Sequence, residues 1–367
     1  MSSEMHPHLF APGNIGKLKI KNRLVVAPMT RVSAGPKGIA SDQMAAYYSD
    51  YVKGGFGLII SEGTYPDDKQ SQGYHNQPGI VSDEQVAAWS KVTDAVHAQG
   101  GLIFSQLMHA GALSQFIEKP VGPTKLQYTG EMARNYIGEG AYNIPRELSL
   151  DDIEEITNDF AASAARAVEA GFDGVEIHGA NGYLLDQFTA PETNLRTDQY
   201  GGSLENRMRF HAEIMAAVKQ GADGKVPVGM RTSQIKVNDR TYKWSEGVDH
   251  ARALFSTLAA AGADFIHVNG PPGNAEVFDS GKTMSRLCRD CFEGQIITCG
   301  MMSDPTIADD LVASGDTDFI ANARASLADQ SWPKKIASGE TPIPFDMGMT
   351  TPLATIDNTK AWREAQS

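Results

Sequence analysis

Eight short apolar runs punctuate the chain, and most are followed by a stretch with helical periodicity. They are "RLVVAPM" (23–29), "FGLIISEG" (56–63), "LIFSQLMH" (102–109), "GVEIHGA" (174–180), "PVGMRTS" (227–233), "FIHVNG" (265–270), "QIITCG" (295–300) and "DFIANA" (318–323). Each is rich in Val, Ile, Leu or Phe and bounded by Gly, Pro or polar residues, as strands covered on both faces are. Between them, Val86, Trp89, Val92 and Val96 form one helical stripe, and Ile153, Ile156 and Phe160 another, opened by Ser149 at capping-box spacing to Asp152. Further stripes follow Ser203 and Ser245, and Asp304 with Pro305 opens a last one.

Strand-helix alternation with right-handed crossovers has two usual outcomes, an open doubly wound sheet and a closed barrel. No G-x-G-x-x-G follows the first run, and the count of eight favours a single (β/α)8 TIM barrel spanning residues 1–367. Ahead of it, "KLKIKN" reads as a hairpin closing the barrel's bottom. The irregular stretch 110–148 reads as a lid inserted after the third strand, because loops of that length in compact domains are usually functional. Residues 340–367 form a C-terminal extension.

The totals narrow the function. With 32 basic against 45 acidic residues, net −13, and no Lys/Arg concentration, nucleic acid is not an expected partner. There is no basic N-terminal segment with an apolar core and no long apolar span, so a cytoplasmic protein without a membrane partner is expected. Three cysteines cannot make a disulfide framework. Cys288 and Cys291 form a C-x-x-C, half a metal site or a redox pair, but only Cys299 remains and no second pair exists; incidental thiols are the plainer reading and no metal is expected.

In such a barrel the C-terminal strand ends converge on one cavity. The residues there are Thr30, Glu62, Gly63, Thr64, Gln106, His109, His178, Asn181, Arg231, Asn269, Gly300 and Arg324. They include no metal-binding cluster, no strand lysine on the sixth or seventh run for a Schiff base and no serine with a paired base. The set suits a planar polar cofactor that carries the difficult chemistry itself. Gly300 and Arg324, after the last two strands, fit a phosphate site.

These residues sit in segments that resemble the Old Yellow Enzyme family of FMN-dependent ene-reductases over nearly the whole length. The segments are "NRLVVAPMTR" (22–31), "EGTYPDDKQSQGY" (62–74), "QPGIVSDEQVAAW" (77–89), "QLMHAG" (106–111), "HGANGYLLDQF" (178–188) and "NLRTDQYGGSLENRMRF" (194–210), the last two highly specific. The resemblance implies FMN across the barrel mouth, with Pro28, Met29, Thr30 and Gly63 near the ring, Gln106 on its pyrimidine edge and Arg231 by N1 and C2=O. Gly300, Met301, Ala323 and Arg324 would hold the phosphate. It also implies NADPH or NADH as hydride donor and a small activated alkene as acceptor, with hydride passing from flavin N5 to the β-carbon. His178 and Asn181, three residues apart, can share one face of a helical turn and aim two donors at the acceptor's oxygen. Tyr183 would then protonate the α-carbon. Tyr65 is a candidate for the substrate pocket.

Two departures qualify the resemblance. Ala323 replaces the usual glycine before Arg324, and "ARASLAD" is similar to the iron-sulfur branch, which contains dienoyl-CoA reductases and amine dehydrogenases. That branch needs cysteines beyond the eighth strand, and residues 325–367 have none, so a cluster is excluded. An oxidative reaction on an N-methyl amine stays open as the alternative. The sequence is compatible with a homo-oligomer but does not specify one.

Overall fold

The computed structural model describes residues 5–270 and 272–366. All eight apolar runs become strands: β1 (Leu24–Val26), β2 (Leu58–Thr64), β3 (Ile103–Leu107), β4 (Gly174–Asn181), β5 (Val228–Lys236), β6 (Phe265–Asn269), β7 (Gln295–Cys299) and β8 (Phe319–Asn322). They pair in parallel with their sequence neighbours, and β8 returns to β1, so the sheet closes into a barrel rather than remaining an open doubly wound sheet. Because every strand is covered on both faces, burial along them is nearly unbroken, which explains why they read as continuous apolar runs.

The helices between strands start where the sequence marks them. Ser82 and Ser149 make reciprocal capping boxes with Gln85 and Asp152, and Asp304 accepts from the amides of Thr306 and Ile307. One start is shifted: the helix Gly247–Ala260 has Glu246 at its N-cap, with no side-chain cap bond from Ser245.

Inside the barrel, Val25, Leu58, Ile60, Phe104, Phe265, Ile297 and Phe319 form an apolar plug. Phe104 and Phe265 meet at 5.6 Å. Ile15 and Ile20, from the antiparallel hairpin Gly13–Ile15 and Leu18–Ile20, belong to the same cluster. Burying that hairpin on the plug leaves the opposite, C-terminal end of the strands as the end where polar side chains gather.

The stretch 110–148 has more structure than an irregular loop. It carries two single-turn 3-10 segments, Gly111–Leu113 and Arg134–Tyr136, and a two-residue parallel ladder between Val121–Gly122 and Arg146–Glu147. Its Leu113, Tyr128 and Tyr142 pack with Tyr74 and Tyr183 in one cluster. At the other end of the chain, the helix Ile356–Gln366 is tied back to the barrel: Arg31 Nη2 donates to Thr355 O at 2.6 Å and to Thr359 Oγ1 at 2.5 Å.

Candidate active site

Strand register sets the level of the site. Gln106 on β3 pairs with Glu176 on β4, while His178, Arg231 and His267 lie level across β4, β5 and β6. Side chains of one strand alternate faces, so Glu176 and His178 point the same way, above the phenylalanine plug.

His178 is buried, and that burial, helped by the charges of Arg231 and His267, holds its pKa well below the usual histidine value. The ring is neutral at physiological pH. Its Nδ1 lies 3.3 Å from the Ala180 amide, which can only donate. The single ring proton therefore sits on Nε2, giving a neutral donor with a fixed tautomer.

Tyr183 stands edge-on to that imidazole, ring centroids 4.9 Å apart at 81°. The turn delivering it is specific: Asn181 has φ 62° and Gly182 φ 85°, the Gly182 amide donates to Asp186 Oδ2 at 2.6 Å, and Gln187 Nε2 donates to Gly182 O at 2.7 Å. Tyr183 then opens the short helix Leu184–Thr189. Its hydroxyl is 2.5 Å from that of Tyr74, and burial raises its pKa above the ordinary phenol value, so it keeps its proton. Tyr74, Tyr128, Tyr136 and Tyr142 surround it with aromatic surface.

Asn181 does not sit with His178 on a helical turn, as the spacing suggested. Residues 174–181 are strand, in which side chains three apart point to opposite faces. The β4–β5 register shifts between Gly179 and Asn181, and the left-handed Asn181 backbone breaks the alternation there. Tyr65 is placed differently from expectation as well. Its ring packs against Gly38 and Gly79, and its hydroxyl bonds Lys37 O at 3.1 Å and Gln85 Nε2 at 2.9 Å, with no hydrogen bond to His178, Asn181 or Tyr183. Tyr74, nine residues on in the same connection, meets Tyr183 instead.

Beside the polar tier, a cavity of about 790 Å³ is lined by Arg231, Asn269, Cys299, Gly300, Met301, Ala323 and Arg324, among others. Gly300 has φ 125°, and a Cβ there would lie 1.5 Å from Gly270 O, so the backbone itself forms the wall. Arg324 is exposed at the first position of the helix Arg324–Ala328 and makes no hydrogen bond or ion pair among the described residues. Arg231 is only 6% exposed, yet its Nε and Nη1 have no partner; its Nη2 reaches Cys299 Sγ at 3.9 Å. A buried guanidinium with two orphaned donors calls for an acceptor that the polypeptide does not provide. The pyrimidine edge and phosphate of FMN fit that demand: acceptor oxygens for Arg231, an anion for Arg324 and a side-chain-free wall at Gly300.

Pro28, Met29 and Thr30 follow β1, partly buried. Their course is fixed from beneath, since the Arg31 amide donates to Glu62 Oε2 at 2.9 Å. Desolvation lifts the Glu62 carboxyl to about 7, even though the Arg31 amide and guanidinium and the Tyr48 hydroxyl oppose that rise. Gly63 is buried where a Cβ would meet Met108 Sδ at 2.4 Å. Sequence reasoning missed Glu176, His267 and Tyr74. A glutamate in the middle of "GVEIHGA" was the available signal, because a strand buried on both faces rarely carries one without a partner.

Cys288 and Cys291 lie around the end of the helix Met284–Arg289, and no group of three metal-ligating side chains exists among the described residues. No helix among the described residues is long and apolar enough to cross a membrane.

The sequence matches the NADH:flavin oxidoreductase / NADH oxidase family over residues 8–341. It is 36% identical over 337 residues to 12-oxophytodienoate reductase 2 of Arabidopsis thaliana, covering 89% of this chain and 87% of that one. It is 34% identical over 354 residues to an NADH oxidase of Thermoanaerobacter brockii, where 91% of this chain spans 51% of the relative, about half its length. Among solved structures, morphinone reductase in complex with tetrahydroNAD superposes with a TM-score of 0.83 at 34% identity, covering 93% of each chain. The old yellow enzyme homologue of Zymomonas mobilis does so with a TM-score of 0.85 at 31% identity, covering 96% of this chain and 98% of that one. A closed eight-stranded barrel, the unpartnered buried donors of Arg231 and these likenesses agree: the chain belongs to the NADH:flavin oxidoreductase / NADH oxidase family, that of the Old Yellow Enzymes, and is an FMN-dependent NAD(P)H oxidoreductase.

Proposed function

We propose that this enzyme reduces activated C=C bonds of α,β-unsaturated carbonyl or nitro compounds, using NADPH or NADH. The observation that carries the reading is the pairing of a neutral Nε2–H donor on His178 with a protonated phenol, Tyr183, packed edge-on against it. FMN, held by the residues below, would supply the hydride chemistry between nicotinamide and substrate.

The protein's part is positioning, polarisation and one proton. His178 Nε2 and the Asn181 amide donate to the substrate's carbonyl or nitro oxygen and stabilise the negative charge that grows there. Tyr183 Oη gives its proton to the α-carbon, while Tyr74 Oη–H donates to the oxygen left behind. Arg231 and Gln106 would hold the pyrimidine end of the cofactor, Thr30 and the Pro28–Met29 backbone its central ring, and Gly300, Met301, Ala323 and Arg324 its phosphate. The stretch 110–148 covers the mouth and contributes the aromatic wall around Tyr183.

The test is to reduce the holoenzyme anaerobically with NADPH, mix it with cyclohexenone and identify the product. Reoxidation of the flavin with formation of cyclohexanone supports the reading. A reduced flavin that the enone leaves unchanged, but that forms readily from an N-methyl amine without nicotinamide, gives the site to the oxidative alternative.

A further inference from the structure

Glu176 on β4 and His267 on β6 meet inside the barrel with no exposure at all. Glu176 Oε2 is 2.7 Å from His267 Nδ1, and its Oε1 accepts from Gln106 Nε2 at 2.7 Å. A buried carboxyl–imidazole pair of this kind is seldom the best way to stabilise a core, since apolar side chains of the same volume do as well or better. Its position suggests another use. Below it lie Phe104 and Phe265, packed against each other in the apolar plug; level with His267 lies Arg231, and joined to it by a hydrogen bond is Gln106.

A carboxylate oxygen can only accept, so the Gln106 group facing Glu176 is its NH2. The amide oxygen of Gln106 must then face away from the carboxylate. A glutamine amide has near-symmetric shape and can rotate by half a turn with little steric cost, so something has to choose between its two ends. Here that choice falls to Glu176, held in turn by His267.

Resting on the placement of Gln106 at the pyrimidine edge, we propose that Glu176 is a positioning residue: with His267 it locks the Gln106 amide so that its oxygen and its second N–H are presented to FMN in one fixed order. The flavin edge alternates donor and acceptor, so the reverse order would set acceptor against acceptor and donor against donor. The couple acts on cofactor affinity and electronic environment, through Gln106, without touching substrate.

A double-mutant cycle on FMN affinity tests this. Holoenzyme and variants are stripped of FMN and titrated back, with the flavin midpoint potential and thermal midpoint recorded. Glu176→Leu is expected to weaken FMN about tenfold, the scale of one lost hydrogen bond of this kind. The same change in a Gln106→Leu background is expected to add nothing, because the group it orients is gone. Glu176→Gln replaces an acceptor-only group with an amide that can turn either end to Gln106, so it is expected to weaken FMN severalfold at an unchanged thermal midpoint, whatever the folding of the leucine variant. Equal weakening by Glu176→Leu with and without Gln106 overturns the inference, as does wild-type FMN affinity in Glu176→Gln. If Gln106→Leu alone leaves FMN affinity and potential unchanged, the placement of Gln106 itself fails and the inference falls with it; a loss at Gln106 that Glu176 does not share refutes the inference alone.

Discussion

The hydroxyls of Tyr74 and Tyr183 lie 2.5 Å apart in a pocket of tyrosines, from connections 109 residues apart in sequence. A phenol that must lose a proton in such a dry place is helped by a neighbour that can donate to the phenolate. Tyr74→Phe is therefore expected to slow enone reduction roughly threefold to tenfold, the scale of one hydrogen bond to a charged oxygen, and to leave flavin reduction by NADPH unchanged. Rapid mixing of each half-reaction separates the two. In a Tyr183→Phe background the Tyr74 change should have no further effect.

His178 is expected to act as a donor that never titrates in the working range. Its pKa lies well below the usual value, so the enone half-reaction should show no inflection from it between pH 6 and 8. His178→Ala should lower that half-reaction roughly 10²–10³-fold, as loss of an oxyanion donor does. A rate that follows an imidazole titration near neutrality would contradict the neutral tautomer.

Glu62 makes stability depend on pH with a definite sign. Its carboxyl is raised to about 7 in the folded state, from an ordinary value of 4.5, so the fold favours its protonated form. Its contribution is complete below the unfolded value and is lost as pH rises from there through about 7. The unfolding free energy of the wild type in urea titrations should fall across that window by an amount on the order of 1–3 kcal/mol. Glu62→Gln should flatten that part of the curve.

How far the sequence foretold this site varies from residue to residue. The eight strands were legible because a parallel strand covered on both faces leaves an apolar run with sharp boundaries. His178 and Tyr183 were legible through a specific segment, but the way they meet was not: a helical turn was expected where a register shift and a left-handed Asn181 occur. Naming Tyr65 without Tyr74 shows the same limit. Both stand in the connection after β2, and only the folded path of that connection decides which one reaches Tyr183. Glu176 stood out as a polar residue inside a hydrophobic strand, but its role became readable only with its partners from β3 and β6 in place.

Gly300→Ala should abolish FMN binding. A Cβ at that position would overlap Gly270 O, and φ of 125° is strained for any residue with a side chain. The backbone between β6 and β7 would have to move, at a cost of several kcal/mol. Spectrophotometry should find the purified variant colourless, and its thermal midpoint should not respond to added FMN. Arg231→Leu is expected to behave differently, with weakened FMN but an apoprotein no less stable than wild type, because it removes a buried guanidinium of which two nitrogens lack partners.

Pre-reduced Tyr183→Phe holoenzyme, mixed anaerobically with cyclohexenone in a rapid-mixing spectrophotometer beside the wild type, addresses the proton donor at the heart of this chemistry. Reoxidation slowed by roughly 10²–10⁴-fold, with flavin reduction by NADPH untouched, is the expected outcome. Equal slowing of both half-reactions, or none in either, would mean that the phenol at 183 packs against the aromatic wall and carries no proton to the substrate.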